Sequence, residues 1–386
     1  MSIHRDVRVT WSRVRAWLDA EAVTTPLSIF FGSRVAIYSL LLLFVGLLPG
    51  APETKPTFWQ MMAQWDGEWY LRIARDGYQW FGPATQSTVG FFPLYPVLGR
   101  CAGWLLGDLN LGFLLITNGS VALYLWFLYQ LVIMEGNRDL AERALIYVAS
   151  FPAALVFASF YSDATALACI TGAMLYSRRG RFVLAIPLAF LAGLTRLTAL
   201  AVIFPVAYEM WRQRGLHRSL MALGFMPLGT LGFGAYLWQL TGDPLAYFAV
   251  QRTAWFHVFT PPWETLRLAL DRASWPLTHF VTAVALLETG SILLFIILTL
   301  GIIRTRPLGD WLYGLSILLF VLIQTVDVTK GPPTESAPRY LMTIVPGFIV
   351  LAQAGKNRYL DQSVRWTFAM LQGVFAMCFF SRLWVA

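Results

Sequence analysis

The sequence predicts an all-α, polytopic membrane protein built as a bundle of about ten to eleven transmembrane helices. Three observations predict it. Of 386 residues, 57% are hydrophobic and only 13% are charged, roughly half the charged fraction of a soluble domain. Apolar runs recur along the chain, many of them near the roughly 20 residues that span a bilayer. Basic residues gather on alternate connections between those runs. A soluble enzyme, a secreted disulfide scaffold and a disordered chain are excluded. The net charge of +8 reads in so apolar a chain as membrane orientation and lipid contact, with no nucleic-acid partner.

Residues 1–25 interleave Arg5, Arg8, Arg13 and Arg15 with Val7, Val9, Trp11, Val14, Trp17 and Leu18. This pattern suits an amphipathic helix on the cytoplasmic membrane surface. Residues 26–386 then form one transmembrane domain. The first apolar run, 28–48, is too long for a signal-peptide core and is expected to stay as a span. Further runs lie near 110–134, 143–160, 162–177, 182–195, 197–211, 219–240, 277–303, 309–327, 340–355 and 366–384. Those between 143 and 211 are short and are expected to be tilted, broken or partly crossing.

With residues 1–25 inside and one crossing per run, the inward segments hold 17 Lys/Arg and 9 Asp/Glu, while the outward ones hold 11 and 12. The positive charge is then entirely inside. This sorting requires residues 91–106 to be a juxtamembrane or re-entrant helix within a first outward loop, 50–108. The inward loops read as plain arginine anchors, so the candidate chemistry lies on the extracytoplasmic face.

That loop carries Trp65-Asp66-Gly67-Glu68-Trp69-Tyr70. Carboxylates two residues apart share a face only on an extended segment, and Gly67 permits an irregular turn. A carboxylate among aromatics suits a general base acting on a sugar hydroxyl; solvated charges in an interfacial belt are the plainer alternative. Phe91-Phe92-Pro93-Leu94-Tyr95-Pro96 suits a fixed entry into the juxtamembrane helix. Asp163, after Tyr161-Ser162, either caps a helix or has a partner at membrane depth. Arg196 interrupts an apolar stretch, and there it must meet a phosphate or a carboxylate such as Asp163 or Asp66. Gln251 and Trp255, in an aromatic loop that opens at Gly242-Asp243-Pro244, are the sugar contacts expected there. Arg339, before Tyr340, either holds a phosphate or snorkels to the interface. Cys101, Cys169 and Cys378 are too scattered for a disulfide framework. The four histidines lack ligand spacing; no cofactor is required, and Asp66 and Glu68 could bind a divalent metal, but no third ligand stands out.

In this order, Trp65-Asp66…Ile73-Ala74…Gly77-Tyr78, the 91–96 motif, Tyr161-Ser162-Asp163, Gly193-Leu194-Thr195-Arg196, Gly242-Asp243-Pro244…Gln251…Trp255 and Pro338-Arg339-Tyr340 resemble the PIG-V family, the GPI mannosyltransferase II group with its prokaryotic relatives, in the GT-C class of glycosyltransferases. The resemblance spans about 65 to 340. It implies a polyprenyl-phosphate-sugar donor, with mannose as the sugar, and a catalytic Asp66 facing outward. Glu68-Trp69 departs from the family pattern, in which a histidine follows the aspartate, and leaves the acceptor open.

The expectation is therefore an inverting sugar transfer to a lipid or glycan acceptor. Asp66 and Glu68 carry catalysis, Arg196 and Arg339 hold the donor phosphate, and Trp65, Tyr161, Asp163, Gln251, Trp255 and Tyr340 contact substrate. The expected site is the plasma membrane of a prokaryote. A transporter or flippase of lipid-linked sugars would use the same arginines and aromatics without a base, but no internal repeat supports it.

Overall fold

The computed structural model describes residues 20–47, 55–276 and 280–383. The helices, in chain order, are α1 (Ala20–Leu47), α2 (Phe58–Met62), α3 (Asp66–Asp76), α4 (Leu94–Leu106), α5 (Leu109–Ile133), α6 (Arg138–Ser150), α7 (Asp163–Arg178), α8 (Phe182–Gly193), α9 (Ile203–Arg214), α10 (Leu216–Phe225), α11 (Leu228–Thr241), α12 (Ala246–Thr253), α13 (Pro262–Ala273), α14 (Phe280–Thr305), α15 (Leu308–Ile323), α16 (Ala337–Leu341), α17 (Val345–Ala354) and α18 (Arg358–Phe380). The all-α, polytopic architecture is as the composition predicts. Most of the interfacial segment expected at 1–25 lies outside the described residues. From Ala20 the chain is already in α1, so the boundary expected at 25/26 falls inside a helix.

Among the described residues, four helices, α1, α5, α14 and α18, are long and apolar enough to cross a membrane. Other apolar runs are interrupted, and the causes are local. The 143–160 run bends by 78° between α6 and a 3-10 segment, Pro152–Ala158. Phe151 precedes proline and is held at φ −56°, ψ 138°, where a helix cannot continue. The 182–211 stretch breaks at Arg196, whose backbone is extended, and resumes as a 3-10 turn, Leu197–Val202. The 219–240 run divides before Pro227, and the 340–355 run breaks between α16 and α17. Within residues 91–106, Leu94–Leu106 form the 13-residue helix α4.

One feature departs from the prediction. The apolar run at 309–327 leaves the helix at Ile323 and forms β2 (Gln324–Val326), antiparallel to β1 (His257–Phe259), with His257 opposite Val326. The hydroxyls of Thr260 and Thr325 meet at 2.6 Å beside it. This small sheet fastens the aromatic loop after α12 to the segment leading into α16.

At the end of the bundle carrying the connections read as inward, Glu135 and Asp310 each pair with Arg178 and Arg306. That network joins the ends of α5, α7, α14 and α15. Arg34, buried in α1, donates to the Phe157 carbonyl oxygen at 2.6 Å.

Candidate active site

The site is assembled from segments far apart in the chain. Thr57 and Gln60 cap α2 reciprocally, at 3.3 and 2.8 Å, a capping box. Trp65 then turns the chain at φ 57°, ψ −119°, a region costly for a residue with a side chain, and α3 starts at Asp66. The turn is held against the 160–163 segment, where the Phe160 N–H donates to the Met62 carbonyl at 2.8 Å. A Cβ on Gly67 would lie 3.3 Å from that carbonyl and 3.5 Å from Phe160. Gly67 therefore serves close approach. It does not break the helix.

This has a direct consequence for the two carboxylates. Because Asp66 and Glu68 both lie on α3, they diverge by about 200°. Asp66 faces a cavity, while Glu68 is exposed and outside its lining. The expectation that Glu68 shares the catalytic face is thus corrected, since it assumed an extended or irregular turn.

The other motifs converge on Asp66. The Leu94 N–H donates to the Leu194 carbonyl at 3.0 Å, joining the 91–96 and 193–196 motifs. Ser336, at φ 65°, turns the chain into α16 and so presents Arg339. Arg339 Nη2 lies 2.6 Å from Asp66 Oδ2, and its Nε lies 3.1 and 3.0 Å from the two oxygens of Asp163. Arg196 Nη1 lies 2.7 Å from Asp163 Oδ1, and its Nη2 reaches the Ser162 hydroxyl at 3.5 Å. That hydroxyl also meets Tyr70 Oη at 2.8 Å. The guanidinium of Arg339 stacks 4.5 Å from the Tyr161 ring centroid, and that of Arg196 lies 5.8 Å from Tyr340. Both arginines thus meet carboxylates, and Arg339 is buried, so it does not snorkel. Burial works to lower the Arg339 pKa, but the Asp163 and Asp66 carboxylates outweigh it and hold the group charged.

The cavity has a volume of about 360 Å³. Trp65, Asp66, Arg196, Gln251, Trp255, Arg339 and Tyr340, all expected from sequence, line it. Tyr161 and Asp163 are wholly buried behind it, where they hold the arginines. One wall is aromatic. Trp69 stacks on Phe91 with centroids 5.8 Å apart, and Trp255 packs edge-on against both, at 5.9 and 5.7 Å.

Sequence reasoning missed His257, Gln324 and Glu335, which also line the cavity. His257 and Gln324 arrive through the β1–β2 pairing, which their sequence contexts do not signal. Glu335 does adjoin the 336–340 motif, and that adjacency was an available hint. Burial pushes the His257 pKa down to about 4, leaving a neutral imidazole at neutral pH. A second, mostly apolar chamber of about 600 Å³ adjoins the first, sharing Gln251, His257 and Gln324 and adding Phe248, Phe259 and Ile323. Among the described residues, no group of three His, Cys, Asp or Glu side chains is disposed to hold a metal ion.

No protein-family profile matches the chain. No curated protein matches it either. Two crystal structures of an oligosaccharyltransferase from Archaeoglobus fulgidus, one complexed with zinc and sulfate and one in the apo form, are similar to it at 12% identity, with TM-scores of 0.41 and 0.39. The likeness covers 90% and 94% of this chain but 53% and 56% of theirs, so the chain spans about half the length of the structures it matches.

Proposed function

We propose that the chain is an inverting glycosyltransferase. It moves a sugar, mannose by the motif resemblance, from a polyprenyl-phosphate donor to a lipid or glycan acceptor. We place the reaction on the extracytoplasmic face of a prokaryotic plasma membrane. One observation carries the reading: a carboxylate, Asp66, and two arginines stand together on a cavity walled by aromatic rings, beside an apolar chamber. A lipid-linked sugar has the same three chemistries in sequence, apolar chain, phosphate and sugar.

In this reading Asp66 takes the proton of the acceptor hydroxyl. The acceptor oxygen attacks the anomeric carbon from the face opposite the phosphate, and the carbon–oxygen bond to phosphate breaks with its electron pair on the phosphate. A phosphate leaving group is weakly basic, so it needs charge stabilisation more than a general acid. Arg196 and Arg339 supply it. Trp69, Phe91 and Trp255 offer ring faces to the sugars, and Gln251 offers an amide. Glu68 has no part in the scheme.

The test is transfer from radiolabelled polyprenyl-phosphate-mannose by the purified chain, wild type against Asp66→Asn. Loss of about 100-fold or more is expected on removing a general base. Undiminished transfer by the variant would remove Asp66 from the role. Translocation of lipid-linked sugar in liposomes with no transfer to any acceptor would replace the enzyme with a transporter.

A further inference from the structure

The four groups at the centre of the site are two carboxylates, Asp66 and Asp163, and two guanidiniums, Arg196 and Arg339. Their charges cancel. The arginines are therefore not spare cations waiting for an anion, since each already holds a carboxylate. A phosphate drawn to this cluster gains full attraction only if a carboxylate gives way. The two carboxylates differ in which can do so. Asp163 is wholly buried, it accepts the Nε–H of Arg339 on both oxygens, and Nη1 of Arg196 lies 2.7 Å from one of them. Asp66 lines the cavity, is partly exposed, and meets Arg339 through Nη2 alone. Asp163 thus fixes the orientation of Arg339, and Asp66 balances its charge.

Resting on the glycosyltransferase reading, we propose that Asp66 and Arg339 form a charge hand-over pair: the proton that Asp66 takes from the acceptor releases Arg339 to the departing phosphate. Each step balances. The acceptor O–H bond breaks and its proton goes to a carboxylate oxygen of Asp66. The oxygen's electron pair forms the new bond to the anomeric carbon. The bond from that carbon to the phosphate oxygen breaks, and its pair stays on the phosphate. As negative charge leaves Asp66 it accumulates on the phosphate, so one guanidinium is neutralised throughout. In the resting site the same pair holds back the full cationic strength of Arg339. Before proton transfer, the phosphate meets a balanced cluster. After it, the cluster is one charge more positive.

The experiment measures binding of farnesyl phosphate, a stand-in for the leaving group, to the full-length chain in nanodiscs. Asp66→Asn mimics the protonated carboxyl in shape and charge. Asp66→Ala removes the carboxylate by a second route, and both variants are checked for a wild-type melting profile. The hand-over predicts that each binds farnesyl phosphate at least about tenfold more tightly than wild type, the scale of one lost charge competitor. The gain should vanish when Arg339→Gln is added. Unchanged affinity in both variants, with transfer lost, overturns the hand-over but leaves Asp66 as the base. Tighter binding that persists without Arg339 is plain repulsion by Asp66 and overturns the hand-over as well. Transfer undiminished in the Asp66→Asn variant removes the base, and the hand-over falls with it.

Discussion

Asp163 receives the Nε of Arg339 on both of its carboxylate oxygens, at 3.1 and 3.0 Å, with none of its own surface exposed. Arg196 completes the set at 2.7 Å. Removing the carboxylate therefore leaves two largely buried cations with one balancing charge, Asp66. Breaking a buried pair from one side costs about 3–5 kcal/mol. Asp163→Ala is expected to lower stability by that order and to abolish transfer, because Arg339 loses the contact that aims it. The melting temperature of the purified variant and its transfer rate check both. A variant as stable and active as wild type would show that the cluster is not what orders the site.

His257 gives a prediction of opposite character, about pH. Its folded pKa of about 4 lies below the ordinary 6.5 because burial disfavours the imidazolium. Between those values the unfolded chain binds a proton that the folded chain refuses. Stability is therefore undiminished above about pH 6.5 and falls as pH drops toward 4, by up to about 3 kcal/mol. Glu335 lines the same cavity, and other carboxylates titrate too, so the informative quantity is a difference. Between about pH 7.5 and 5, the melting temperature of wild type should fall more than that of His257→Gln. Parallel curves would mean that the imidazole titrates normally.

Both residues bear on what was legible in the sequence. Asp163 and Arg196 could be flagged because a charge inside an apolar run is conspicuous wherever it folds. The same reasoning identified carboxylates as one class of partner for Arg196, which is what it meets. Glu68 was misread because Gly67 signals a possible break, whereas here it admits the Met62 carbonyl beneath an intact helix. His257 and Gln324 were invisible because a three-residue strand pairing leaves no periodicity to read. The apolar runs predicted the helical class and the long helices α1, α5, α14 and α18. The bend after α6 and the split before Pro227 lie where hydropathy is continuous and only backbone chemistry changes.

Glu288 supports the site from beneath. It is buried on α14, and one of its oxygens accepts from the Thr334 hydroxyl at 2.9 Å. The Thr334 carbonyl in turn accepts from the Ala337 N–H at 2.9 Å, at the start of α16. The contact thus steadies the left-handed turn at Ser336 from which Arg339 projects. Glu288→Ala strands the Thr334 hydroxyl and should cost about 1–3 kcal/mol. It should also raise the donor KM. Glu288→Gln keeps an acceptor oxygen and should stay near wild type in both. If the alanine variant matches wild type in melting temperature and KM, the contact is incidental to Arg339.

The last prediction concerns how closely α4 and α5 approach, since α4 follows the Phe91 wall of the cavity. A Cβ on Gly112 of α5 would lie 2.6 Å from the Gly99 carbonyl oxygen, and nearer still to the backbone of Gly103. Those neighbours are main chain on α4, which cannot swing aside as a flexible side chain would. Gly112→Ala should therefore force the helices apart and cost about 1–3 kcal/mol, with a rise in substrate KM as Phe91 shifts against Trp69 and Trp255. Gly119 lies two turns further along the same helix, exposed, with nothing within 4 Å of where its Cβ would stand. There alanine only removes backbone freedom from the unfolded chain, so Gly119→Ala should be neutral or stabilising by up to about 1 kcal/mol. The melting temperature of Gly112→Ala should fall below wild type, while that of Gly119→Ala should hold or rise. A loss of equal size at both positions would mean that α5 resists alanine generally, and the close crossing with α4 would not be what positions the aromatic wall.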